Sequence, residues 1–333
     1  MQAMVYTRYG APADVLHVAE IDTPQPQADE VLIEIHASSV NYGDRALVRG
    51  KPFLVRFMGY GVRSPNYQIP GGDIAGRVAA VGANVTQWQP GDEVFADIGD
   101  CGLGAYAEYV AVPAAALTRK PANLDFAAAA SVPQAAVVAL QGLRDKGQIA
   151  PGDKVLINGA SGGVGHFAVQ IAKAYGADVT GVCGTRNVEM VRRLGADHVI
   201  DYTQEDFTQG APRYDLIFDI VANRSTSAYA SALTPTGRYV ACAFNPTSLF
   251  LGPLLSKKGG KRVTSFMHKP KADDLASVRD LIEAGKVTPV VNRCFPLDEL
   301  AAAMGYLDDE KPCGKVVIIM KGADRASRRQ PAS

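Results

Sequence analysis

Between Val155 and Lys173 the chain reads VLINGASGGVGHFAVQIAK, and residues of these types at this spacing can hold a pyrophosphate. Val155, Leu156 and Ile157 form a short apolar run of strand type. Gly159, Ala160, Ser161, Gly162, Gly163, Val164 and Gly165 then make a turn, and Phe167, Val169, Gln170, Ile171 and Lys173 follow at helical spacing. Strand, glycine turn and helix in that order begin a dinucleotide-binding fold. A diphosphate needs backbone N–H groups close to it, and a Cβ at Gly162 would stand in the way. A helix starting near Gly163 directs its unpaired N–H groups and the positive end of its dipole at the anion. Gly165 lets that helix lie close to the strand. A lone glycine pattern says little, because any tight turn uses glycine. Here its meaning comes from the strand before it and the βα units after it.

The next strand, Asp178 to Cys183, bears on which dinucleotide is held. An NAD-specific site places Asp or Glu at the end of this strand, bonding the adenosine ribose. This chain offers Cys183-Gly184-Thr185-Arg186. Thr185 and Arg186 suit a 2′-phosphate, toward which a guanidinium makes charge-assisted bonds worth about 1.5–3 kcal/mol each. The residues therefore favour NADPH over NADH. The plainer reading of Arg186 is a surface charge at a helix start.

The elements needed to position these residues continue downstream. Val188–Leu194 reads as a helix, Tyr214–Val221 as a buried strand, Ala228–Leu233 as helix, Arg238–Phe244 as strand and Lys261–Met267 as a sixth, edge strand. Alternation of this kind predicts a Rossmann-type, doubly wound parallel sheet in an α/β protein. Val221, Ala243 and Phe244 fall at the carboxyl ends of their strands, where such a sheet binds its ligand. Upstream the chain is β-rich: short strands at Val31–Ala37, Arg77–Gly82, around Val94 and at Gly104–Val110 are separated by Gly and Pro turns, which suggests a barrel-like domain. Lys51–Pro70 is an irregular, partly apolar loop, equally readable as a pocket wall or as ordinary packing. An amphipathic helix at Asp273–Ala284, a helix beginning at Phe295–Leu300 and a closing strand at Gly314–Ile319 complete the chain. The tail from Gly322 is polar and reads as disordered.

With 333 residues, balanced formal charge and 47% hydrophobic residues, the chain has room for two cores. It carries no basic footprint for nucleic acid and no long apolar run for a membrane. The N-terminus lacks the apolar core of a signal peptide, so a cytoplasmic setting is expected. The five cysteines and five histidines are scattered, which argues for reduced thiols and against a structural zinc site.

The segments VNYGD, PGGDIAG, QPGDEVFA, GAYAEYV, the glycine stretch, LGADHVIDY and CGKVVI, in that order from about residue 30 to 319, resemble the medium-chain dehydrogenase/reductase superfamily on its zinc-independent quinone oxidoreductase branch. The resemblance implies a discontinuous GroES-like catalytic domain, residues 1–122 and 269–333, around a dinucleotide-binding domain, residues 123–268. It places Asn41 beside the nicotinamide ribose, where the plainer reading is a turn residue, and Tyr202 near the 2′-phosphate. It adds Val138, Phe266 and Lys315 to the cofactor set. It also implies a homodimer paired through the edge strand of the Rossmann sheet.

The departures are informative too. Zinc-dependent relatives carry Cys where this chain has Asn41 and Gly-His-Glu where it has Gly72-Asp73-Ile74. Val138 stands where related chains have a Thr, and Ser131 is the nearby hydroxyl. Without a Lewis acid, the suitable hydride acceptors are conjugated: a quinone or an α,β-unsaturated carbonyl. Tyr42, Asp44, Arg45, Tyr60 and Tyr67 are the polar groups near the expected pocket, and Asn41, Tyr42 and Asp44 are the catalytic candidates; water is the alternative proton source. Two other functions stay open: a zinc-dependent alcohol dehydrogenase with unusual ligands, and a non-catalytic NADPH-binding protein.

Overall fold

The computed structural model describes residues 1–209, 211, 213–242, 260–310 and 312–320. The expected cofactor residues Ala243 and Phe244 lie outside the described residues, as does the tail from Gly322. The chain forms two compact units. One comprises Met1–Gln134, Pro270–Glu283 and the chain from Pro289 onward; the other comprises Ala135–Lys269 and Ala284–Thr288. The division thus falls inside the helix Pro133–Leu140, twelve residues beyond the expected boundary at 122.

In the first unit β1 (Gln2–Val5) and β2 (His17–Glu20) form a small antiparallel pair. A larger sheet contains β3 (Glu30–Val40), β4 (Asp73–Val81), β5 (Glu93–Asp97), β6 (Tyr109–Pro113), β7 (Thr118–Arg119), β14 (Val291–Pro296) and β15 (Lys315–Ile319). Its order is β14-β15-β3-β4-β5-β7, with β6 also pairing β3. The long β3 is its axis: its first half pairs β6, its last four residues pair β15, and β4 runs along most of it. Val31, Ile33, Ile35, Ile74, Val94, Tyr106 and Ile318 join the buried core. Trp88, the chain's one tryptophan, donates Nε1–H to the Ala114 carbonyl (3.0 Å) beneath the Arg119 guanidinium.

Three sequence expectations shift here. The strand expected at Gly104–Val110 begins only at Tyr109: Ala107 makes an isolated bridge to Ala3, and the ladder to β3 runs from Tyr109 to Pro113. Asn41, whose plainer reading is a turn residue, stands at the cap of a helix, Tyr42–Arg49. Val291–Pro296, whose VNRCFP has little alternation, is a strand, and the helix expected from Phe295 runs Leu300–Asp309 after a short 3₁₀ turn.

The second unit is a six-stranded parallel sheet of β8 (Lys154–Asn158), β9 (Asp178–Cys183), β10 (His198–Asp201), β11 (Tyr214–Asp219), β12 (Leu233–Ala241) and β13 (Arg262–Ser265). Its order, β10-β9-β8-β11-β12-β13, reads 3-2-1-4-5-6 when counted from β8, the doubly wound order with the chain reversal beside β8. The helices Gly165–Ala174, Val188–Arg193 and Thr226–Ala232 connect its strands. Its core packs Leu156, Val182, Ile217 and a stack of Phe207, Tyr229 and Tyr239. Among the described residues no helix is long and apolar enough to cross a membrane.

Candidate active site

In the second unit the turn after β8 has the form that its glycines suggest. Gly159 takes φ 91°, and the N–H groups of Gly159 and Ala160 both donate to the Val182 carbonyl on β9. The helix starts at Gly165, two residues later than Gly163. A Cβ on Gly165 would lie 2.0 Å from the Gly159 carbonyl oxygen, so only glycine lets the helix close on the strand. A Cβ on Gly162 would meet only that same oxygen, at 3.4 Å, and would otherwise project into open space. Open space beside a glycine at a helix N-terminus fits a dinucleotide diphosphate. Ala160, Ser161, Gly163 and Val164 complete the turn.

The strand tips beside it gather the expected adenosine-side residues. Thr185, Arg186 and Asn187 form a 3₁₀ turn after β9, and Asn187 Nδ2 donates to Ser161 Oγ (3.1 Å), tying this turn to the glycine loop. The Tyr202 ring lies against Gly184: a Cβ there would stand 3.2 Å from the phenol oxygen. Thr185 and Thr203 share a hydroxyl hydrogen bond (3.0 Å). The sequence reading passed over Asp201, which ends β10 alongside Cys183. Its carboxylate is held below the usual range by hydrogen bonds from Thr185 and from Thr203 N–H and Oγ1. A carboxylate therefore does stand near this tip, one strand over, with its oxygens turned to two threonines.

A buried polar network behind β8 was also missed. Asp219, fully buried at the end of β11, accepts from Asn158 Nδ2 (2.8 Å), Tyr239 OH (2.6 Å) and the N–H groups of Val221 and Ala222. Asn158 Nδ2 also reaches Tyr229 OH and Asn223 Oδ1. The carboxylate thereby folds a tight turn in which Ala222 sits at φ 55°, and Val221 emerges half exposed against Gly159. The visible clue is an Asp ending the apolar run YDLIFD. Val138 is 7% exposed in its helix, and Phe266 lies close to Gly142. The Ser131 hydroxyl gives its hydrogen to the Ala128 carbonyl (2.7 Å), so it does not supply the donor that Val138 lacks.

In the first unit Asn41, at the end of β3, precedes a helix whose start it fixes. Asn41 N–H donates to Asp44 Oδ2 (2.8 Å), one half of a capping box. The Asn41 side chain turns inward instead: Nδ2 donates to Asp73 Oδ2 (2.9 Å) and Oδ1 accepts from Lys315 Nζ (2.5 Å). Asp73 also accepts from Ser39 Oγ (2.6 Å) and from Gln134 N–H (2.8 Å), and lies 3.6 Å from the Lys315 ammonium. Tyr106 OH donates to Asp44 Oδ2 (2.9 Å). Burial lifts Asp44 to about 7 and raises Asp73, with Lys315 opposing the latter, while burial lowers Lys315 against the pull of Asp73.

Two of the expected site residues are buried. Asp44 is 3% exposed and holds the helix start and Tyr106. Lys315 is equally buried, and the group it touches on the way out is Asn41. Tyr42 is 56% exposed, with Arg45 over its ring and its hydroxyl donating to the Leu307 carbonyl (3.3 Å). The zinc positions do not fit a zinc ion: Asn41 offers an amide for a thiolate, and the Asp73 oxygens already meet three donors and an ammonium. Among the described residues no group of three His, Cys, Asp or Glu is arranged to hold a metal.

Comparison with known proteins agrees with this architecture. Residues 27–122 match the profile of the alcohol dehydrogenase GroES-like domain, and residues 194–318 that of a zinc-binding dehydrogenase. The chloroplast envelope quinone oxidoreductase homolog of Arabidopsis thaliana is 32% identical over 96% of this chain and 98% of its own. The NADPH-dependent alkenal/one oxidoreductase of the same plant is 35% identical over 96% of this chain and 79% of its own. The structure of the quinone oxidoreductase from Coxiella burnetii superposes with a TM-score of 0.85 at 29% identity, covering 96% of this chain and 99% of that one. The chain is an oxidoreductase that belongs to the quinone oxidoreductase branch of the medium-chain dehydrogenase/reductase superfamily.

Proposed function

We propose that the protein is an NADPH-dependent reductase of quinones or α,β-unsaturated carbonyls that works without zinc. The observation that carries the cofactor half is the open glycine turn beside a strand tip ending in Thr185 and Arg186, with Asn187 joined to Ser161. Bound NADPH supplies the hydride. The protein's part is to seat the diphosphate on the turn from Gly159 to Gly165, to meet the 2′-phosphate with Arg186, Thr185 and Tyr202, and to engage the nicotinamide end with Asn41. Val221 and Phe266 supply apolar surface.

The acceptor half rests on the donor chemistry. The first unit offers amide and phenol groups in place of a Lewis acid, which suits acceptors that spread the incoming charge over a conjugated system. The loop after Lys51 adds apolar surface, with Phe53, Leu54, Phe57 and Met58 each about half exposed or more. Two relatives named for such acceptors, the alkenal/one oxidoreductase and the tomato 2-methylene-furan-3-one reductase, support the same reading. Pairing through β13 into a homodimer belongs to this proposal as well. Initial rates of NADPH and NADH oxidation against a panel of quinones, enones, simple aldehydes and alcohols test it. Turnover confined to conjugated acceptors, unaffected by a metal chelator, is the expected result; no turnover on any conjugated acceptor while NADPH binds would refute it.

A further inference from the structure

We propose that Lys315 and Asp73 are positioning residues: together they fix which way round the Asn41 carboxamide stands, and so which atoms it presents to the cofactor. The inference rests on the reading of Asn41 as a cofactor residue. An Asn side chain has nearly the same shape in its two flipped states, and its neighbours decide between them. Here the decision is made by charge. A carboxylate oxygen of Asp73 faces Nδ2 at 2.9 Å, and the Lys315 ammonium faces Oδ1 at 2.5 Å. Turning the amide over would set its oxygen against a carboxylate and its NH₂ against an ammonium, losing both hydrogen bonds and adding two repulsions.

The two partners are themselves immobile. Asp73 is fully buried and held by Ser39 Oγ and Gln134 N–H; Lys315 is 3% exposed and lies within reach of the Val40 carbonyl (3.5 Å). Asn41 is partly exposed. Stability alone gives little reason for such a pair, since apolar residues of similar volume often serve a core as well. What the ion pair adds is direction: a buried charge sets the polarity of an amide that reaches the surface. The ammonium acts at a distance of one residue, which accounts for a lysine in the cofactor set that is nowhere near the surface.

The test is a double-mutant cycle of Asn41→Ala and Lys315→Met, read as NADPH affinity by fluorescence titration and as kcat and KM separately. Each single change is expected to weaken NADPH binding about tenfold, and the double variant to bind no worse than Asn41→Ala alone. Lys315→Gln, which keeps an N–H donor for Oδ1, is expected to recover affinity to within about threefold of the parent; it also serves if Lys315→Met does not fold. If losses add in the double variant, or if Lys315→Gln binds as poorly as Lys315→Met, Lys315 does not work through Asn41 and the proposal falls. If Asn41→Ala binds and turns over NADPH like the parent, the cofactor role of Asn41 is wrong and the positioning role goes with it. Wild-type affinity in Lys315→Met would overturn the positioning role while leaving Asn41 in place.

Discussion

Arg186 and Asp44 show what a single side chain can be asked. Arg186→Ala is expected to weaken NADPH by tenfold or more, from the loss of about 1.5–3 kcal/mol per charge-assisted bond, and to leave NADH nearly unchanged. Equal losses for both nucleotides in parallel titrations would remove the 2′-phosphate assignment. Asp201 offers a complementary change. Asp201→Asn takes a negative charge from the neighbourhood of that phosphate, so NADPH affinity should rise at low salt and the gain should shrink as salt screens it. Asp44 carries a pH prediction. Its folded-state value of about 7 lies above the ordinary 3.8, so its ionisation opposes folding, and the stability that it allows falls as pH rises from about 4 through about 7. Asp44→Asn removes that slope. Relative to the variant, the parent should lose about 2 kcal/mol between pH 5 and pH 8, measured by urea midpoints. An identical pH slope in the two proteins would show that Asp44 does not titrate in this window.

At the scale of elements, two junctions carry the cofactor half of the site. The helix Gly165–Ala174 docks through a glycine that has no room for a methyl group, so Gly165→Ala should abolish NADPH binding without unfolding the first unit. The turn after β11 depends on one carboxylate, and Asp219→Ala leaves four donors without their acceptor. That substitution should cost about 3 kcal/mol or more of stability and weaken NADPH as Val221 loses its place. Thermal melts and titrations on the same samples check both. The strand-turn-helix unit was legible in the sequence because period, glycine spacing and flanking elements all agreed there. The Asp219 network was not, because one polar residue in an apolar strand gives no hint of partners 20 and 61 positions away. β14 escaped for a related reason: its ladder with β15 is non-local, and its own residues barely alternate. Asn41 was placed by motif, yet its inward-turned amide depends on Asp73 and Lys315, distant in sequence and adjacent only once β3, β4 and β15 pair.

The whole molecule has two cores, and the sheet of the second ends at β13, whose outer edge has no partner strand among the described residues. Sedimentation or light scattering at twice the 35.2 kDa chain mass is expected if that edge pairs with its equivalent. A monomer at micromolar concentration would dismiss the pairing. The position of Trp88 gives the molecule a built-in probe. It is the sole indole in the chain and belongs to the unit without the glycine turn, while the other unit has its tyrosine stack of Tyr229 and Tyr239. Indole emission therefore reports the melting of one core, whereas far-ultraviolet circular dichroism takes its signal from the helices and strands of both. Nucleotide added to a melt will raise the dichroism-detected midpoint first. Whether the indole midpoint rises with it is a direct reading of how firmly the two cores are thermodynamically coupled, obtained without a label or a mutation.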